Sequence, residues 1–125
     1  MLYIFIIVTF IYIISKISEI QLESNIIDDL IKETHKYSGI NEEYYGLFYA
    51  NIRMARENIK QVQESSEFLA KAIHYLNEIP LYMPTIDLEI QDDISAISQK
   101  IAIEFERILI EEALNQNIYF KPKYI

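Results

Sequence analysis

Glycine and proline interrupt this chain at only five places, Gly39, Gly46, Pro80, Pro84 and Pro122. A β-rich domain turns often, and its tight turns draw on these two residues. So sparse a set leaves few, long elements joined by few loops. With 51% hydrophobic and 24% charged residues the composition is that of a folded chain, and 125 residues make one domain with a modest core.

The first uninterrupted stretch is apolar. Met1 to Ile14 carries no charge, and Thr9 is its one overtly polar residue. Leu2, Tyr3, Ile4, Phe5, Ile6, Ile7 and Val8 cover every side of a helix, and Phe10, Ile11, Tyr12, Ile13 and Ile14 extend the run. Three readings compete. A cleaved signal peptide wants a basic start and small residues at its cleavage site, and the sequence has neither. A core helix, buried within the chain or by an oligomer, suits the length, since the run rises about 21 Å against a hydrocarbon core of about 30 Å. Amphipathic partners, however, offer one stripe each and cannot surround a helix that is apolar on all sides. The favoured reading is a single-pass membrane anchor over 1–20. Ile17 and Ile20 lengthen the span, Lys16 snorkels to the headgroups, and Tyr3 and Tyr12 sit near the interfaces. With Lys16 the only nearby cation, the positive-inside rule puts the following domain in the cytosol.

Helical spacing governs 21–115. A first helix over about 17–38 carries Ile17, Ile20, Ile27, Leu30 and Ile31, and Ser38-Gly39 ends it, with Gly39 suited to a left-handed cap. Asn41 is placed to cap a second helix over about 42–79, with Glu42 and Glu43 complementing its dipole. Along this second helix Tyr45, Phe48, Ile52, Ile59, Val62, Leu69, Ile73 and Leu76 fall at a and d positions of a heptad repeat, a candidate helix-pairing face. Its e and g flanks are small or neutral, which suits a bundle better than a two-stranded coiled coil. Pro80 and Pro84 enforce a turn, and Ile94, Ile97, Ile101, Phe105 and Ile108 mark a third helix over about 87–115.

The expected fold is therefore all-α: the anchor helix continuing into an up-down-up three-helix bundle or coiled coil. Folding about Gly39 brings Asp28 near Arg53 and Glu23 near Arg56. Folding about the Pro turn brings Glu104 near Lys60 and Glu112 near Arg53. Full pairing of a straight first helix would set the apolar run beside Glu67, Lys71, His74 and Glu78, so the anchor must project past the bundle or bend near Ser15 to Glu19.

The residues 116–125 form an extended tail in which Tyr119, Phe120, Tyr124 and Ile125 interleave with Lys121 and Lys123, while Pro122 forbids helix. A frayed terminus is one reading of it; the other is a docking strap, for its own bundle or a neighbour, made by these four apolar residues.

Little in the sequence points to chemistry. Without Cys there is no thiolate site or disulfide, and the net charge of -8 disfavours nucleic acid and electrostatic adhesion to anionic lipid. Neither His35 nor His74 has Glu three residues before it, so the Glu-x-x-His of di-iron bundles is absent, as are P-loop and dinucleotide fingerprints. The pairs Asp28-Asp29, Glu42-Glu43, Asp92-Asp93 and Glu111-Glu112 point in diverging directions on a helix and fit solvated faces. No catalytic residue, metal site, cofactor or small-molecule substrate is expected.

The segments EEYYGLFYANIRMARENI and AKAIHYLNEIP, with abundant Ile, Tyr, Asn and Lys behind a short apolar start, give the chain its character. In architecture and composition it resembles the small membrane-anchored virion proteins of large DNA viruses. That resemblance implies a minor capsid role, connecting an internal virion membrane to a protein shell. The expected function is a non-enzymatic scaffold or tether whose partners are membrane lipid and other proteins of a larger assembly, capsid proteins among them. The alternatives are a helix-pairing accessory of a fusion, secretion or transport complex, and a soluble helical adaptor.

Overall fold

The computed structural model describes residues 2–125; within the first helix, side chains are described at 3–4, 6–11 and 25–34. Among the described residues the chain is all-α. Helix α1 (Leu2–Thr34) ends in a 3-10 turn (His35–Tyr37), followed by α2 (Glu42–Glu57), α3 (Val62–Glu78), a second 3-10 turn (Ile79–Tyr82) and α4 (Leu88–Gln116). The most extensive pairing is α2 with α3, followed by α3 with α4 and α1 with α4.

The helix expected over 42–79 is thus two helices, and the chain makes an up-down-up-down bundle instead of an up-down-up one. The break is built from polar residues. The Asn58 N–H donates to the carbonyls of Met54 and Ala55, its side-chain amide caps Met54 at 2.7 Å, and Gln61 N donates to Asn58 O at 2.9 Å. Beyond the turn, buried Ser65 reaches across to donate to the carbonyl of Ala55 at 2.6 Å. Ala55 and Ser65 are small enough for the two backbones to approach. Folding back turns the heptad face inward on itself. Tyr45, Phe48 and Ile52 of α2 and Val62, Leu69, Ile73 and Leu76 of α3 are buried in one core, and Ile59 is half-buried in the turn. The predicted pairing face is therefore internal to the chain.

Caps set the remaining boundaries. Asn41 accepts from Tyr44 N at 3.0 Å and opens α2; Asp87 accepts from Glu89 N and Ile90 N and opens α4 within one residue of its expected start. Gly39 does not take the left-handed conformation expected of it. The end of α1 tightens into the 3-10 turn instead, and Ser38 Oγ donates to His35 O at 2.8 Å. The left-handed residue is Asn117, at φ 55°. Around it Ile118 N bonds Ala113 O and Asn117 N bonds Leu114 O, the paired bonds of a Schellman ending.

The core joins Ile27 and Ile31 of α1 to Phe48 and Ile52 of α2, Leu69 and Leu76 of α3, and Ile94, Ile101, Phe105 and Leu109 of α4. Contacts at known levels orient the helices. Thr34 meets Tyr45 and Asp28 meets Arg56, so α1 runs antiparallel to α2. Tyr44 meets Tyr75 and Ala55 meets Ser65, so α2 is antiparallel to α3. Asn77 meets Ser98 and Lys60 meets Gln116, so α3 is antiparallel to α4. This leaves α1 antiparallel to α4 as well, with Glu33, Lys36 and Tyr37 across a recess of about 230 Å³ from Asp93, Ile97 and Lys100. Gln116 Nε2 donates to Lys60 O at 2.8 Å, bringing the end of α4 to the α2–α3 turn.

Candidate interaction surfaces

Along α1 the first buried residue among those described is Ile27. The large apolar side chains of Tyr3, Ile4, Ile6, Ile7, Val8, Phe10 and Ile11 are between 54% and 81% exposed. The backbone is helical without interruption from Leu2 to Thr34, through Ser15 to Glu19. An unbroken helix through that segment accords with the apolar run projecting past the bundle. From the level of the Glu33–Ile97 recess, α4 continues about 28 Å to Gln116, while α1 runs about 33 Å back to Ile11. The exposed run therefore passes beyond the bundle. Leu2, Phe5, Tyr12, Ile13 and Ile14 of the anchor reading lie outside the residues with described side chains. Among the described residues no helix is long and apolar enough to cross a membrane.

Both ends of the bundle expose large apolar side chains. At the end where α1 leaves, Leu114 is 73%, Ile118 46% and Tyr119 88% exposed. At the opposite end Leu81 and Tyr82 of the Pro80–Pro84 turn are exposed, as are Ile86 after it and Leu88 at the start of α4. That end is fixed by ring contacts: Tyr44 lies edge-on to Tyr82 at 4.8 Å and to Tyr75 at 5.6 Å. Hydrogen bonding between the two phenols raises the pKa of Tyr44.

A groove of about 470 Å³ separates α1 from α2, floored by Ile31 and Ile52. Its rim holds Lys32, Arg53 and Arg56 with Asp28 and Glu57. Arg56 pairs with Asp28, and Arg53 with Glu57 at 3.2 Å. The register across the α1–α2 connection differs from the one expected about Gly39: Asp28 meets Arg56, not Arg53. Glu104 pairs with Arg107 at 2.7 Å, and Glu112 accepts from Gln116 at 2.7 Å, so neither reaches Lys60 or Arg53 through the contacts expected. Glu23 lies outside the described side chains.

His35 closes one end of this groove. Its Nδ1 is 3.0 Å from the Tyr45 hydroxyl, which is 3.0 Å from buried Thr34 Oγ1, which donates to Ile31 O at 2.5 Å. One proton per hydroxyl fixes the direction: Nδ1–H donates to Tyr45, Tyr45 to Thr34, and Thr34 to the carbonyl. The chain ends on a backbone oxygen, which suits a structural brace at the α1 end. Burial pushes the Tyr45 phenol up. His74 is exposed, 4.0 Å from Glu78. Among the described residues no group of three or more His, Asp or Glu is placed to hold a metal ion.

The tail docks on its own bundle, through a residue the sequence did not single out. Glu106 of α4 is 0% exposed. Its Oε2 accepts Lys123 N at 2.6 Å, and its Oε1 accepts Tyr124 N and, at 3.1 Å, Ile125 N. Three successive amides thus converge on one buried carboxylate, an anion nest supplied by the chain itself. Phe120 and Tyr124 pack against the core edge, while Tyr119 and Ile125 remain exposed. Of the four tail residues, two serve the strap and two face outward.

No family model matches the chain, and comparison with curated proteins and with solved structures finds no match.

Proposed function

We propose that this chain is a non-enzymatic scaffold or tether, anchored in a membrane by the N-terminal part of α1 and joined to other proteins of a larger assembly by its bundle. One observation carries the proposal: large apolar side chains from Tyr3 to Ile11 stand exposed on a helix that projects from a bundle with a closed core of its own. Exposed apolar surface of this extent has to be covered, and a helix apolar on all sides is matched by lipid better than by any single amphipathic partner. The anchor takes in Leu2 to Ile14 and is lengthened by Ile17 and Ile20, with Lys16 snorkelling to the headgroups and the bundle on the cytosolic side.

The exposed Pro80–Pro84 turn, at the far end, is the natural site for a protein partner. A rigid body with lipid at one pole and protein at the other is a tether. The resemblance to small virion proteins directs the proposal further, to a minor capsid protein linking an internal membrane to its shell. Nucleic acid, cofactor and small-molecule substrate have no part in it. The heptad face offers less to the reading as a helix-pairing accessory, because its residues pack within the bundle.

Alkaline carbonate extraction of membranes containing the full chain tests the anchor. Retention in the pellet is expected; release of intact protein to the supernatant would contradict it.

A further inference from the structure

We infer that the end of the bundle formed by the α2–α3 turn and the α4–tail junction is seated directly on the lipid surface, with Leu114, Ile118 and Tyr119 inserted among headgroups and upper acyl chains. The inference rests on the membrane-anchor proposal and adds to it the face of the folded domain that meets lipid. Three observations carry it.

First, geometry selects this end. α1 is antiparallel to α2 and α4, so its apolar run leaves the bundle beside Lys60 and Gln116, which are joined by a hydrogen bond. Second, this end carries its own apolar side chains. Leu114 and Tyr119 are 73% and 88% exposed on either side of the Schellman ending at Asn117, and Ile118 lies between them. An aromatic beside aliphatic residues, with Lys60 and Lys121 exposed nearby, is the composition that interfaces favour.

Third, the anchor is short. Its charge-free run rises about 21 Å against a hydrocarbon core of about 30 Å. A bundle held away from the membrane would draw part of that run into water. Close seating keeps all of it in lipid and places Lys16 at headgroup depth.

Glu57 and Glu64 are also exposed towards this end, on either side of the α2–α3 turn. The contact is therefore apolar insertion, not attraction to anionic lipid, and it is insensitive to salt.

The chain has no Trp, so a single introduced indole reports its own surroundings. The probe is the full chain reconstituted in phosphatidylcholine vesicles containing bromine-labelled acyl chains, with Tyr119→Trp, Leu114→Trp and Leu81→Trp compared. All three sites are exposed, and circular dichroism checks the helical fold of each variant. The expected result is a blue shift and bromine quenching for Tyr119→Trp and Leu114→Trp, unchanged in high salt, with neither for Leu81→Trp at the opposite pole. Vesicle-bound protein in which Tyr119→Trp and Leu114→Trp behave like Leu81→Trp would overturn the seating and leave the anchor standing. Protein that fails to float with the vesicles would overturn both.

Discussion

Glu106 and Tyr124 hold the tail to the bundle: the fully buried carboxylate accepts the Tyr124 backbone N–H, flanked by those of Lys123 and Ile125. An ionised acid away from water persists only when its oxygens are satisfied, and here three amides supply that compensation. The strap consequently depends on one side chain. Glu106→Gln keeps one acceptor oxygen and turns an N–H group towards donors. Its expected cost is about 2 kcal/mol. Hydrogen exchange should show it first, with the amides of Lys123 to Ile125 losing protection while those of α3 keep theirs.

The α2–α3 fold-back rests on Ser65 donating to Ala55 O. Ser65→Ala removes the shorter of the two bonds to the Ala55 carbonyl and leaves it the 3.3 Å bond from Asn58 N, for an expected loss of about 1 kcal/mol in denaturant unfolding. Ser65→Leu keeps helix propensity but forces the two backbones apart, and it should cost more. A single helix through 42–78 would tolerate both changes.

Asp28 and Arg56 tie α1 to α2 at a partly exposed site. A double-mutant cycle with Asp28→Ala and Arg56→Ala should give a coupling of about 0.5–1 kcal/mol, falling as salt rises. A coupling that is large and independent of salt would mean a more enclosed pair than the structure has.

Burial raises the phenol pKa of Tyr45, and burial together with the Glu106 charge raises that of Tyr124. A phenol that ionises at higher pH folded than unfolded stabilises the protein while neutral. Its contribution is complete below the unfolded value of about 10 and is lost as pH climbs through the folded values. Stability should therefore fall above about pH 10, and Tyr45→Phe should flatten part of that decline. Urea midpoints taken across that range would register it.

The all-α class, the Pro turn and most helix ends were legible because caps and periodicity are local: Asn41 and the Ile94–Phe105 spacing act within a few residues. The break at Asn58 was not. The heptad pattern runs through it unbroken, since the a and d residues that suit one long helix also suit two that face each other. Asn58 in a polar stretch was the available signal, and the Ser65–Ala55 contact that uses it exists only after folding. Glu106 escaped for a similar reason. In the sequence it is one acid in an acidic helix, and only the returning tail makes its burial tolerable.

What surrounds the projecting part of α1 decides between lipid, protein and water. The chain has no Cys, so Ile7→Cys gives a single spin-label site on the exposed run. The direct measurement is the power saturation of that label in vesicle-reconstituted full chain, with oxygen and with a water-soluble nickel chelate as relaxing agents. High oxygen accessibility with low nickel accessibility is the predicted result, the signature of lipid. Low accessibility to both, as in a protein core, or high accessibility to nickel, as in water, would contradict the membrane anchor.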